Sequence, residues 1–153
     1  MNFVAKDDII NYPLIDFNAE VHVIDKKKDV RQYCEIISKS SVVGFDTETK
    51  PAFQKGISYP VSLIQLSIDN SVFLFRINKI GFDNNIISIL SNPKILKVGI
   101  DIKNDITGLQ KMQVFSADNF LDLNSLALSR GFKSIGAVKL SIMLLGYRIS
   151  KKQ

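Results

Sequence analysis

Asp46 and Glu48 stand two residues apart in Val42-Val43-Gly44-Phe45-Asp46-Thr47-Glu48-Thr49, an apolar run that ends in acids. In an extended strand side chains alternate between faces, so both carboxylates point one way while Val43, Phe45 and Thr47 point the other. Two carboxylates held side by side at the end of an apolar strand repel each other and resist burial. A hard divalent cation, Mg²⁺ or Mn²⁺, is the usual compensator for an all-oxygen cluster. The pair also fits a solvated loop start with no metal. The run before it predicts a central strand buried on both faces, which puts the acids at the mouth of a sheet.

Other chemistries are narrowed by what the chain lacks. Cys34 is the only cysteine and His22 the only histidine, which excludes an internal disulfide and an intramolecular Cys/His zinc site. One histidine also disfavours Ser-His-Asp and Cys-His catalysis, leaving carboxylates, hydroxyls and lysines. His22, in the alternating Glu20-Val21-His22-Val23-Ile24, reads as a solvent-side strand residue, and Cys34 as a core thiol on a helix. A net charge of +5 mildly favours a polyanionic partner. Lys26-Lys27-Lys28 reads as a solvated turn before a helix. With 46% hydrophobic and 23% charged residues the 153-residue chain is globular in composition. It has no apolar run of membrane-spanning length and no basic-then-apolar leader, so no membrane partner is expected and a cytoplasmic location is the default expectation.

The elements that must position the acids follow from periodicity. Residues 1–19 read as an irregular lead-in, with Asn11-Tyr12-Pro13 as a breaker, and residues 20–153 as one domain. Strands are predicted at Val21 to Ile24 and Val42 to Glu48. Val61 to Ile68 and Val72 to Phe75 should form a hairpin through Asp69-Asn70-Ser71. A further strand is predicted at Ile95 to Ile100. Helices are predicted from Asp29 to Ser38, Ile86 to Leu90, Asp101 to Met112, Leu123 to Ser129 and Ile135 to Leu145, with Gly131 and Gly146 as stop signals. A three-strand meander followed by alternating strand and helix predicts an α/β fold, a mixed sheet flanked by helices. Sites in such sheets gather at strand ends near helix starts.

A second acidic segment, Lys97-Val98-Gly99-Ile100-Asp101-Ile102-Lys103-Asn104-Asp105-Ile106-Thr107-Gly108-Leu109, begins where the last strand ends. Asp101 is expected to cap the helix. Asp105, one turn later, can project towards Asp46 and Glu48. Phe45-Asp46-Thr47-Glu48-Thr49 and Asn104-Asp105-Ile106-x-x-Leu109 after Lys97-Val98-Gly99-Ile100 resemble the first two motifs of the DEDD superfamily of 3′–5′ exonucleases, in its ribonuclease D and Werner-exonuclease-like branch. Leu63-Ile64-Gln65-Leu66-Ser67 and Phe120-Leu121-Asp122-Leu123 fit that branch too, and the resemblance covers roughly residues 20–150.

The resemblance implies a ribonuclease H-like fold and two divalent cations, Mg²⁺ or Mn²⁺, held roughly 4 Å apart by four carboxylates at the 3′ end of single-stranded DNA or RNA. One ion activates the attacking water and the other stabilises the departing 3′ oxygen. Carried over, Asp46 bridges both ions, Glu48 binds the water-activating one, Asp105 supports the second, and Thr49 contacts the terminal nucleotide. The family's third motif, a Tyr or His preceding an Asp, has no counterpart, since no acid follows Asp122. In relatives a passage like Gly146-Tyr147-Arg148-Ile149-Ser150-Lys151 comes shortly before that motif. The chain is therefore expected to be the front part of such a domain, C-terminally incomplete, and weak or inactive alone. A non-catalytic nucleic-acid or protein-binding module on the same fold is the alternative. A phosphatase of the Asp-x-Asp type fits less well, because position 48 is Glu.

Overall fold

The computed structural model describes residues 1–150, arranged as two compact units: Ala19–Leu121, and Met1–Asn18 together with the chain from Asp122 onwards. Lys151, the last residue of the Gly-x-x-x-Ser-Lys passage, lies outside the described residues.

The larger unit is built on a six-stranded sheet in the order β1-β4-β3-β2-β5-β6. Its strands are β1 (Glu20–Ile24), β2 (Val42–Thr49), β3 (Val61–Ile68), β4 (Ser71–Phe75), β5 (Leu96–Gly99) and β6 (Phe120–Asp122). The β2-β3-β4 meander is antiparallel, and β1 joins β4 and β5 joins β2 in parallel, so the sheet is mixed as predicted. The hairpin turn falls at Asp69-Asn70, with Asp69 at φ 45°. Four helices belong to this unit: α1 (Lys27–Ile37), α2 (Ile77–Ile80), α3 (Asn84–Leu90) and α4 (Lys103–Met112). Val30, Cys34 and Ile37 form the buried stripe of α1, and they share one core with Val43, Phe45, Ile64, Leu66, Ile86, Leu90, Ile102 and Leu109.

Four sequence expectations are corrected here. The three lysines are not a turn: Lys26 precedes α1 and Lys27 and Lys28 start it, because the apolar stripe extends the helix and Asp29 in the first turn offsets their charge against the dipole. His22 does not face solvent freely. Its ring stacks on Phe73 with centroids 5.0 Å apart and lies 5.4 Å from Tyr33, because the parallel register places His22 opposite Phe73. Asp101 does not cap α4. It adopts the left-handed φ of 58°, a conformation Asp tolerates, and α4 begins at Lys103 without a side-chain cap. Finally, β2 is central but buried on one face. Val43, Phe45 and Thr47 are buried, whereas Val42, Asp46 and Glu48 are exposed.

The second unit contains α5 (Leu123–Ser129) and α6 (Ala137–Leu145), stopped by Gly131 and Gly146 at φ 82° and 79°. Residues 1–18 are not irregular throughout. They include a short 3₁₀ turn at Ile9–Asn11, and they hydrogen-bond to the later helical region of the same unit. Val4 N–H is held by Ser134 Oγ, Lys133 N–H by Asn2 carbonyl, and Arg148 N–H by Pro13 carbonyl. No helix among the described residues is long and apolar enough to cross a membrane.

Candidate active site

Strand alternation sets the first two donors. Asp46 and Glu48 occupy the exposed face of β2, and Thr47 between them turns into the buried face. The strand end is re-aimed by a bulge. Glu48 pairs with Leu63 but Thr49 pairs with Val61, leaving Ser62 as the extra residue, and Ser62 Oγ donates to the Glu48 carbonyl at 3.1 Å. Two close approaches fix β2 from the sides. A Cβ on Gly99 would sit 2.5 Å from the Phe45 carbonyl oxygen, and one on Gly44 would sit 2.1 Å from Ser67 Oγ. The Phe45 carbonyl cannot yield, so Gly99 requires glycine for the sheet to close beside the acids, whereas the Ser67 hydroxyl at Gly44 can rotate away.

The third donor comes from α4. Ile102, just before the helix, and Leu109 within it join the core that includes Phe45 and Val61, which leaves Asp105 half-buried over the end of β2. There Asp105 Oδ1 accepts a hydrogen bond from Thr47 Oγ1. The residue that alternation points away from Asp46 and Glu48 is thus the one that holds the third acid. Sequence reasoning missed this role for Thr47; its only signal is a hydroxyl at an otherwise apolar core position.

Electrostatics ties the three acids together. Although Asp46 is open to solvent on the outer face of β2, partial desolvation at the strand end pushes its carboxyl above its ordinary range, and the negative charges of Asp105 and Glu48 add to the rise. The Thr47 N–H, donating to Asp46 Oδ1 at 2.9 Å, opposes it. An acid so placed favours a cation that would relieve the repulsion. The donors are carboxylate oxygens, the chemistry of a Mg²⁺ or Mn²⁺ site. Their present arrangement is open, however: among the described residues no three His, Cys, Asp or Glu side chains are gathered to hold one ion.

Beside the acids lies a cleft of about 440 Å³ between the end of β2, the approach to β3, and α4. Glu48, Thr49 and Asp105 line it, and Asp46 stands outside its lining. Its other walls are Ser58, Tyr59 and Pro60 on one side and Asn104, Gly108, Lys111 and Met112 on the other. Thr49, the residue expected from sequence to touch a terminal nucleotide, lines the cleft. Tyr59 and Lys111 carried no motif signal, since they come together only when α4 packs over β3. Cys34 takes no part: it is buried in α1, and burial, with Asp83 nearby, pushes its thiol up to about 12.

A mixed sheet with acids at the end of a central strand and a further acid on the helix after β5 has the architecture of a ribonuclease H-like fold. The chain belongs to the 3′–5′ exonuclease family, whose profile matches residues 21–153. Solved structures agree in fold. Trypanosoma brucei RNase D, in complex with GMP, is 19% identical with a TM-score of 0.75, over 94% of this chain and 45% of that one. Escherichia coli RNase D, an exoribonuclease involved in structured RNA processing, is 20% identical with a TM-score of 0.76, over 86% and 35%. The EXD2 exonuclease domain soaked in Mg and GMP is 22% identical with a TM-score of 0.62, over 85% and 71%. The chain thus spans less than half the length of these two RNase D structures. No curated protein sequence gives a match. Exonucleases of this family depend on divalent metal ions.

Proposed function

We propose that the chain shortens single-stranded nucleic acid from its 3′ end, with Asp46, Glu48 and Asp105 holding two Mg²⁺ or Mn²⁺ ions. The observation that carries this reading is the placement of the three acids: Asp46 and Glu48 share one face at the end of a central strand, and Asp105 accepts a hydrogen bond from Thr47 between them. Held there, ions of this kind would supply an activated water for attack on phosphorus and positive charge for the departing 3′ oxygen. The chain's own part is to hold Asp46 and Glu48 on one strand face and to bring Asp105 in on α4 under Thr47. The cleft then receives the terminal nucleotide against Thr49. The EXD2 domain soaked in Mg and GMP and the RNase D complex with GMP support a nucleotide and a divalent ion at a site of this fold.

The open arrangement of the donors favours as second reading a non-catalytic binding module. A 3′-labelled single strand incubated with Mn²⁺ separates the two. Slow release of labelled mononucleotides, abolished by chelator and by Asp46→Ala, is expected. Strand affinity that survives chelation, with no release, would instead establish the binding module.

A further inference from the structure

The site just described has an electrostatic difficulty. Three carboxylates repel a phosphate backbone, so the strand must be drawn in by something beside them. Residues 50–60, between β2 and β3, supply it. This segment leaves directly from the acid-bearing strand, and every residue of it is exposed. It carries Lys50 and Lys55 and no acid. Phe53 is 93% exposed, a large apolar ring with no packing role in the fold. Lys50 Nζ lies 5.1 Å from the centre of the Tyr59 ring, and Tyr59 lines the cleft together with Lys111 of α4.

Exposed aromatic rings interleaved with cations, running up to a cleft, have the composition of a stacking track for single-stranded nucleic acid. We infer that residues 50–60 bind the nucleotides upstream of the one being removed, with Phe53 stacking on a base and Lys50 and Lys55 neutralising phosphates. A duplex does not fit, because its bases are already stacked and offer Phe53 no free face. This inference rests on the reading of the site as a 3′-end nuclease, and names the surface that would feed it.

The test measures fluorescence anisotropy of fluorescein-labelled oligouridylate and oligothymidylate, each about 10 nucleotides long, in EDTA so that nothing is cut. Phe53→Ala should weaken binding about fivefold or more, and Phe53→Trp should restore it. Lys50→Ala with Lys55→Ala should lower the salt slope of log affinity by about 1.4. Because these side chains are exposed, the variants should keep the wild-type circular dichroism melt. Variants that bind within about twofold of wild type, wild type that binds neither strand, or a duplex competing as well as a single strand would each overturn the track. Mn²⁺-dependent shortening is read on EDTA-free aliquots of the same proteins. Shortening by wild type with unchanged variant affinity overturns the track alone, whereas lost affinity with no shortening overturns the nuclease reading and leaves the track standing.

Discussion

At the scale of single residues, Thr47 decides how the site is held. Its hydroxyl ties β2 to the carboxylate of Asp105, and the residue is buried. Thr47→Val keeps the shape and removes the donor, so it should cost about 1.5–3 kcal/mol, as expected for a hydrogen bond to a charged group. Thr47→Ser should recover most of that in urea unfolding. Equal stability of all three proteins would show that the bond carries no weight. Cys34 offers a second check. With its thiol pushed up to about 12 by burial, it should stay unreactive to a thiol reagent in the native protein and react once urea unfolds the chain. Asp46, Glu48 and Asp105 were legible as candidates because acids at the ends of apolar strands and starts of helices are conspicuous. Thr47, Tyr59 and Lys111 were not, since ordinary residues become site residues only through a tertiary contact.

At the scale of elements, the site depends on how closely β5 lies against β2. Gly99 has no room for a side chain: a Cβ would meet the Phe45 carbonyl and the Ile102 methyl at 2.5 and 2.3 Å. Gly99→Ala should therefore destabilise by about 1–3 kcal/mol and lower the melting temperature, because the carbonyl cannot yield. A melt unchanged from wild type would mean that β5 shifts freely. Hairpin, central strand and helices were readable from alternation and helical spacing. Two short elements escaped. α2 is a single turn with Ile77 and Ile80 buried, too short to show a period, and β6 spans Phe120–Asp122 alone. The start of α4 was misplaced because Asp101 resembles a cap in sequence, while its positive φ turns the chain before the helix begins. Burial of Lys97 had no signal either. Its Nζ is fixed by the carbonyls of Asn92 and Ile95 at 2.8 and 2.7 Å, a solution visible only in three dimensions.

At the scale of the whole molecule, stability should carry the signature of the crowded acids. The Asp46 carboxyl is raised on folding, first by burial and then by Asp105 and Glu48. A carboxyl raised in the folded state binds its proton more tightly there than in the unfolded chain. Its contribution is thus fully present below the ordinary carboxylate range and is lost as pH rises through the raised value. Asp46→Asn should accordingly be more stable than wild type at about pH 7, with the gap closing towards about pH 3. A gap that does not change with pH would contradict the coupling. The fold class, mixed sheet and family were all within reach of the sequence, because two motifs in order with a strand between them leave few alternatives. The grouping of residues 1–18 with the later helices was not, since it rests on backbone hydrogen bonds such as Lys133 N–H to the Asn2 carbonyl.

Mn²⁺ titration of the wild-type chain, followed by water-proton relaxation and repeated on Asp46→Ala and Asp105→Ala, tests the shared acidic site most directly. Saturable binding that Asp46→Ala abolishes and Asp105→Ala weakens at least about tenfold is the predicted result. Binding unchanged in Asp105→Ala, or no saturable binding by wild type, would contradict it.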